Sequence, residues 1–142
     1  MKHDIRLVAV DVDGTFVRSD YTYDVPRFQR IFARMKEINC RFVVASGNQY
    51  YQLRDLFPEC HEEMSFVAEN GAFVKDRREL IFAASMSKET VDSVIDVCME
   101  YPEIQNVLCG VESAYCERGT VSQAFFDLTS IYYHRLQWVD DL

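Results

Sequence analysis

Four apolar residues, Leu7-Val8-Ala9-Val10, run without a break into Asp11-Val12-Asp13-Gly14-Thr15. An apolar run this short, stopped by a turn signal, reads as a strand buried on both faces, the pattern of a parallel sheet. Side chains alternate along a strand, so Asp11 and Asp13 leave its end pointing to the same side. In open α/β sheets ligand sites gather beyond the carboxyl ends of the strands. Two carboxylates this close repel unless a cation or a shared proton intervenes. A hard cation such as Mg2+ suits them, since it takes one or two carboxylates together with substrate phosphate and water. Gly14 permits a tight bend and close backbone approach, and Thr15 adds a hydroxyl beside the acids. An acidic-Gly pair is also an ordinary turn signal, so the rest of the chain has to decide.

Two more segments repeat the pattern. Phe28, Ile31, Phe32, Met35 and Ile38 recur at helical spacing behind Asp24, a capping residue, and Pro26 in the first turn. Arg41-Phe42-Val43-Val44-Ala45 is a second buried strand that stops at Ser46-Gly47-Asn48, and a short helix over about 49–57 ends at Pro58. Ser65-Phe66-Val67-Ala68 is a third strand, stopping at Glu69-Asn70-Gly71. Strand–helix–strand–helix–strand predicts an α/β fold with a parallel sheet of three strands. All three strands end in small or polar residues, so three loops converge on one edge, a coincidence that favours a functional site.

After the third strand the pattern changes. Ala72 to Val74 and Leu80 to Ala83 flank a charged turn and read as a hairpin. A helix follows over about 87–101, then two short strands near 106–109 and 113–116. Thr120-Val121-Ser122-Gln123 reads as a capping box opening a helix with Val121, Ala124, Phe125, Leu128 and Ile131 inward. This predicts a core region over 1–84, hairpin included, and a second, smaller α/β module over 85–142.

The 142 residues allow one domain and part of another. The net charge of −8 argues against nucleic acid and anionic membrane as partners, and no apolar run approaches a membrane span. The five cysteines lack metal spacing, Cys40 and Cys98 reading as core residues. His3, His61 and His134 are too scattered for a metal site. The charged start, Met1-Lys2-His3-Asp4, is no signal peptide, so a reduced, cytoplasmic protein is expected.

A carboxylate at a strand end can accept a phosphoryl group and so divide hydrolysis into two displacements. Asp11 suits the nucleophile. Asp13 suits the acid that protonates the leaving alcohol and the base that later deprotonates water. Ser46 and the Gly47 backbone suit hydrogen bonding to phosphoryl oxygens. These residues resemble the haloacid dehalogenase superfamily, whose first motif is the DxDGT of Asp11 to Thr15 and whose second-motif Ser/Thr matches Ser46. Val43 to Leu53, Phe66 to Ala72, and Tyr133-His134-Arg135-Leu136 further resemble the Cof-type branch, which contains bacterial sugar phosphatases and carries a large α/β cap. The resemblance implies a Rossmann-like core and Mg2+-dependent hydrolysis of small sugar phosphates. Asp11 and Asp13 would be the catalytic residues and also the metal ligands, Asp13 through its carbonyl. Gly14, Thr15, Ser46, Gly47, Asn48 and Asn70 would bind substrate.

One departure matters. The resemblance also implies a lysine from a third motif and a GDxxND whose aspartate completes the metal site, and neither occurs between Asp13 and Leu142. The chain is therefore expected to be an N-terminal portion ending inside the cap, with the first strand exposed as an edge that invites self-association. Two other readings compete. One is a catalytically inactive phosphate-binding or interaction module. The other is a receiver-type phospho-acceptor, which ranks last because Glu69-Asn70 stand where its aspartate would end the third strand. Tyr50 and Tyr51 are expected to pack or to reach substrate, and Asp140-Asp141 to form an exposed acidic tail.

Overall fold

The computed structural model describes residues 4–142, so the expectation for His3 lies outside the described residues. β1 (Leu7–Asp11), β2 (Arg41–Ala45) and β3 (Ser65–Ala68) are parallel, with Asp11 level with Ala45 and Ala45 level with Val67. Between them lie α1 (Val25–Glu37) and α2 (Tyr50–Asp55). The common register matters for function. It brings the exits of three strands to one edge of the sheet.

The hairpin extends that same sheet. β4 (Phe73–Asp76) pairs antiparallel with β3, and β5 (Glu79–Ala83) lies beyond it, giving the order β1-β2-β3-β4-β5. Three strands were expected in this sheet and five are present. A two-residue connection, Arg77-Arg78, returns the chain directly beside its own strand.

Asp24 caps α1 through its carboxylate, which accepts the Arg27 N–H at 2.9 Å. Phe28 and Phe32 are buried and Met35 packs against them, but Ile31 and Ile38 are about half exposed. At about 100° per residue these two fall some 70–90° off the centre of the stripe, beyond what the sheet covers. The core beneath is aromatic: Phe16, Tyr23, Phe28, Phe42 and Phe57 meet with ring centroids 4.9–6.4 Å apart. Phe57, Leu53 and Phe66 are fully buried there.

The chain divides into two compact units, the second beginning at Ala83. In it, α3 (Lys88–Met99) precedes a sheet of order β6-β7-β8, formed by β6 (Leu108–Cys109), β7 (Ala114–Glu117) and β8 (Leu136–Val139). β8 runs parallel to β7 across α4 (Gln123–Thr129) and was not expected from the sequence. The expected capping box is also corrected. The Ser122 hydroxyl, not Thr120, accepts the Phe125 N–H, while the Thr120 hydroxyl donates to the Glu117 carbonyl. The Ser122 N–H and hydroxyl both reach Gln105 Oε1, which does from a distance what Gln123 was expected to do. Ala124, Leu128 and Ile131 point outward rather than inward, while Val121 and Thr129 are buried and Phe126 stacks on Trp138 at 4.4 Å.

All five cysteines are free thiols, with Cys40 and Cys116 buried and Cys98 half-buried. No helix among the described residues is long and apolar enough to cross a membrane.

Candidate active site

The DVDGT segment leaves β1 as a tight turn wound around one atom. The N–H groups of Thr15, Phe16 and Val17 all point at the Val12 carbonyl, at 3.0–3.3 Å. Gly14 sits at φ +70, a left-handed conformation that costs glycine little. Val12 and Val17 are buried below the turn, so Asp11, Asp13, Gly14 and Thr15 are turned outward and exposed. The Thr15 hydroxyl donates to Asp11 Oδ2 at 3.3 Å, leaving the other carboxylate oxygen to face outward chemistry.

The second loop is fastened to the third. Ser46 N–H donates to the Val67 carbonyl at 3.0 Å, Asn70 N–H to the Ser46 carbonyl at 3.4 Å, and Glu69 N–H to the Asn48 carbonyl at 3.1 Å. Gly47 is a matter of space: a Cβ there would stand 2.8 Å from Asn70 Oδ1. The third loop bends through three successive left-handed residues, Glu69, Asn70 and Gly71, at φ 52, 54 and 92. Such conformations are uncommon outside glycine and asparagine, and strain of this kind collects at functional sites.

The first two loops meet side chain to side chain. Asn48 Nδ2 donates to Asp13 Oδ2 at 2.9 Å, joining residues 35 apart in sequence. The Ser46 hydroxyl oxygen accepts the Asn48 N–H at 3.2 Å, so its own proton is left to donate to an anion. The structure thus gathers Asp11, Asp13, Gly14, Thr15, Ser46, Gly47, Asn48 and Asn70 into one rim. What the sequence did not reveal is the Asn48–Asp13 bond, because no local pattern reports a contact between loops. Burial pushes the Glu69 carboxyl above its ordinary range, consistent with a group turned away from the open rim.

Other candidates fall elsewhere. Tyr50 and Tyr51 are buried packing residues, Tyr50 stacking on Phe73. Lys75 Nζ lies 4.8 Å over the Tyr50 ring. Asp140 pairs with Arg118, and His61 faces the Phe57 carbonyl. Two recesses of about 460 and 580 Å3 occur in the first unit, one beside Tyr23 and Phe28, the other at the opposite strand ends around Lys36 and Arg41; neither includes Asp11 or Asp13.

No three His, Cys, Asp or Glu side chains assemble among the described residues. Asp11 and the Asp13 carbonyl nonetheless offer oxygen donors in the number that Mg2+ commonly takes from a protein, so the donor chemistry fits a hard cation.

A family model for haloacid dehalogenase-like hydrolases matches residues 8–140. The chain belongs to that family. It is 42% identical over 137 residues to the Escherichia coli K12 protein named 5-amino-6-(5-phospho-D-ribitylamino)uracil phosphatase YbjI, a match covering 96% of this chain and 50% of the relative. A Streptococcus mutans UA159 crystal structure superposes with a TM-score of 0.84 at 38% identity, covering 96% of this chain and 52% of that one. A Bacillus subtilis haloacid dehalogenase-like hydrolase shares the fold at 14% identity and a TM-score of 0.71, covering 97% of this chain and 55% of that one. The chain therefore spans about half the length of the relatives it matches.

Proposed function

We propose that the protein carrying this chain is a Mg2+-dependent phosphatase of small phosphorylated sugars or sugar alcohols, working through an aspartyl-phosphate. The observation that carries the reading is the rim itself: two carboxylates at the end of β1, with Asp13 bonded to Asn48 in the loop that ends β2 and that loop bonded in turn to the one that ends β3. The 42% identical relative bears the name of a phosphatase acting on a phosphoribityl compound, which supports an ester on a short polyol chain as substrate.

In this reading a carboxylate oxygen of Asp11 bonds to phosphorus as the bond to the alcohol oxygen breaks. Asp13 gives its proton to that oxygen, and the alcohol departs. A water then attacks the phosphorus, loses its proton to Asp13, and the Asp11–phosphorus bond breaks to release phosphate. The Ser46 hydroxyl, the Gly47 backbone and Asn70 hold the equatorial oxygens, where charge spreads in the transition state. Mg2+ on the Asp11 carboxylate and the Asp13 carbonyl would supply charge neutralisation.

The test is phosphate release by protein made from its complete coding sequence, assayed against a panel that includes sugar and ribityl phosphates. Turnover that needs Mg2+ and disappears in Asp11→Asn supports the reading; undiminished turnover in that variant overturns it.

A second reading, phosphate binding without turnover, fits these 142 residues taken alone. Among the described residues, Lys36 pairs with Glu63, Lys75 covers Tyr50 and Lys88 pairs with Asp92, so none of these lysines is committed to Asp11. The isolated chain should bind Mg2+ weakly and show no sustained hydrolysis.

A further inference from the structure

A carboxylate on an exposed turn has several rotamers open to it, yet a proton donor must keep one of them, within hydrogen-bond reach of the leaving oxygen. Asp13 is such a residue: it lies beyond the end of β1, on a turn whose buried anchors are Val12 and Val17 rather than Asp13 itself. Its side chain is held from another loop. A carboxylate only accepts hydrogen bonds, so the Asn48 amide must present its N–H side to Asp13 Oδ2, at 2.9 Å.

Asn48 is in turn fixed at both ends of its peptide unit. Its N–H donates to the Ser46 hydroxyl oxygen, and its carbonyl accepts the Glu69 N–H. The loop below it is clamped further by Ser46 N–H to the Val67 carbonyl. The side chain is therefore a short strut from the β2–β3 framework to the first loop. A strut of this kind leaves Asp13 Oδ1, the oxygen that Asn48 does not touch, as the one to carry and deliver the proton.

We infer that Asn48 is a positioning residue for the acid/base step, selecting the Asp13 rotamer rather than binding the phosphoryl group. The inference rests on the phosphatase reading and assigns Asn48 a role separate from Ser46, its neighbour by two residues. It has a specific consequence. Proton delivery in the first displacement matters when the leaving group is a poor one, such as an alkoxide, and hardly at all when it is an activated phenolate, whereas deprotonation of water in the second displacement is common to both.

The experiment compares Asn48→Ala and Asn48→Leu with the parent protein from its complete coding sequence, on an alkyl sugar phosphate and on p-nitrophenyl phosphate. Leu keeps the volume of Asn without its donor, so agreement between the two variants separates the hydrogen bond from packing. Melting temperature is measured on each. The first displacement is read as the burst of alcohol or phenol released in a single turnover. The expected result is a fall in its rate of about tenfold on the sugar phosphate, the lower end of what outer-shell partners contribute, with KM within about twofold and the p-nitrophenol burst nearly unchanged. Asp13→Asn should show the same leaving-group pattern in the burst, more strongly, and should slow steady-state turnover of both substrates through the second displacement. An equal loss of burst rate on both substrates, a rise in KM as the main effect, or no loss on either would overturn the role assigned to Asn48. A parent whose Asp11→Asn or Asp13→Asn variants keep full alkyl phosphate turnover would instead overturn the phosphatase reading, so the two failures are distinguishable.

Discussion

Ser46 is where a single hydroxyl can be weighed. Its oxygen already accepts the Asn48 N–H, so its proton is directed outward. Ser46→Ala should lower kcat by roughly two orders of magnitude, the usual worth of one preorganised donor to a developing anion, while Ser46→Thr should retain most turnover. Steady-state kinetics on the complete protein decides it, and wild-type rates in the Ala variant would leave the hydroxyl only a loop-bracing role. Glu69 offers a test by stability. Burial raises its pKa, so between the ordinary carboxylate value near 4.5 and its folded value the native state binds more protons than the unfolded one. Stability should therefore fall as pH rises through that window. Glu69→Gln should remove the decline, which denaturant melts across pH would reveal.

At the scale of elements, Asp76 joins three strands. Its carboxylate accepts the Ser65 hydroxyl on β3 and an Arg41 N–H on β2, both at 2.7 Å, while it sits on β4. The Ser65 hydroxyl, more than any other group, holds this carboxyl below the usual range, with burial opposing it and the Arg41 guanidinium adding to the lowering. A lowered folded pKa means stabilisation that is complete above the unfolded value of 3.8 and is lost as pH falls through the folded one. Asp76→Asn should cost about 1–2 kcal/mol at neutral pH and blunt that acid sensitivity. The aromatic core is less forgiving: Phe57, 1% exposed, contacts four other rings of the cluster, and Phe57→Ala should cost about 3–5 kcal/mol by calorimetry or denaturation.

For the molecule as a whole, the sheet order leaves β1 at an edge. Ile5, Leu7 and Val8 are exposed beside it, at 61%, 53% and 36%. An apolar strand with an unpaired edge is a template for another chain. The 142-residue chain alone should therefore associate with rising concentration, measured by light scattering, and Leu7→Lys should shift it toward monomer. A soluble monomer at high concentration, unchanged by the substitution, would show that the edge is not adhesive.

Much of this protein was legible in its residues because the deciding information was local. Short apolar runs stopped by polar turns marked β1, β2 and β3, Asp24 marked the start of α1 through its own side chain, and DVDGT marked the acidic rim. What remained hidden depended on register between distant segments. β8 exists because a four-residue stretch finds β7, and the Ser122 cap of α4 is held by Gln105 from 17 residues away. Ile31, Ile38, Leu128 and Ile131 are as apolar as their buried neighbours, and only the placement of the sheets decides that they face outward. The rim divides in the same way. Its residue types are set by sequence, since carboxylates, hydroxyls and glycines carry their chemistry with them. The bond from Asn48 to Asp13 belongs to the tertiary structure, because it requires β1 and β2 to run parallel with Asp11 level with Ala45 before two loops 35 residues apart can touch.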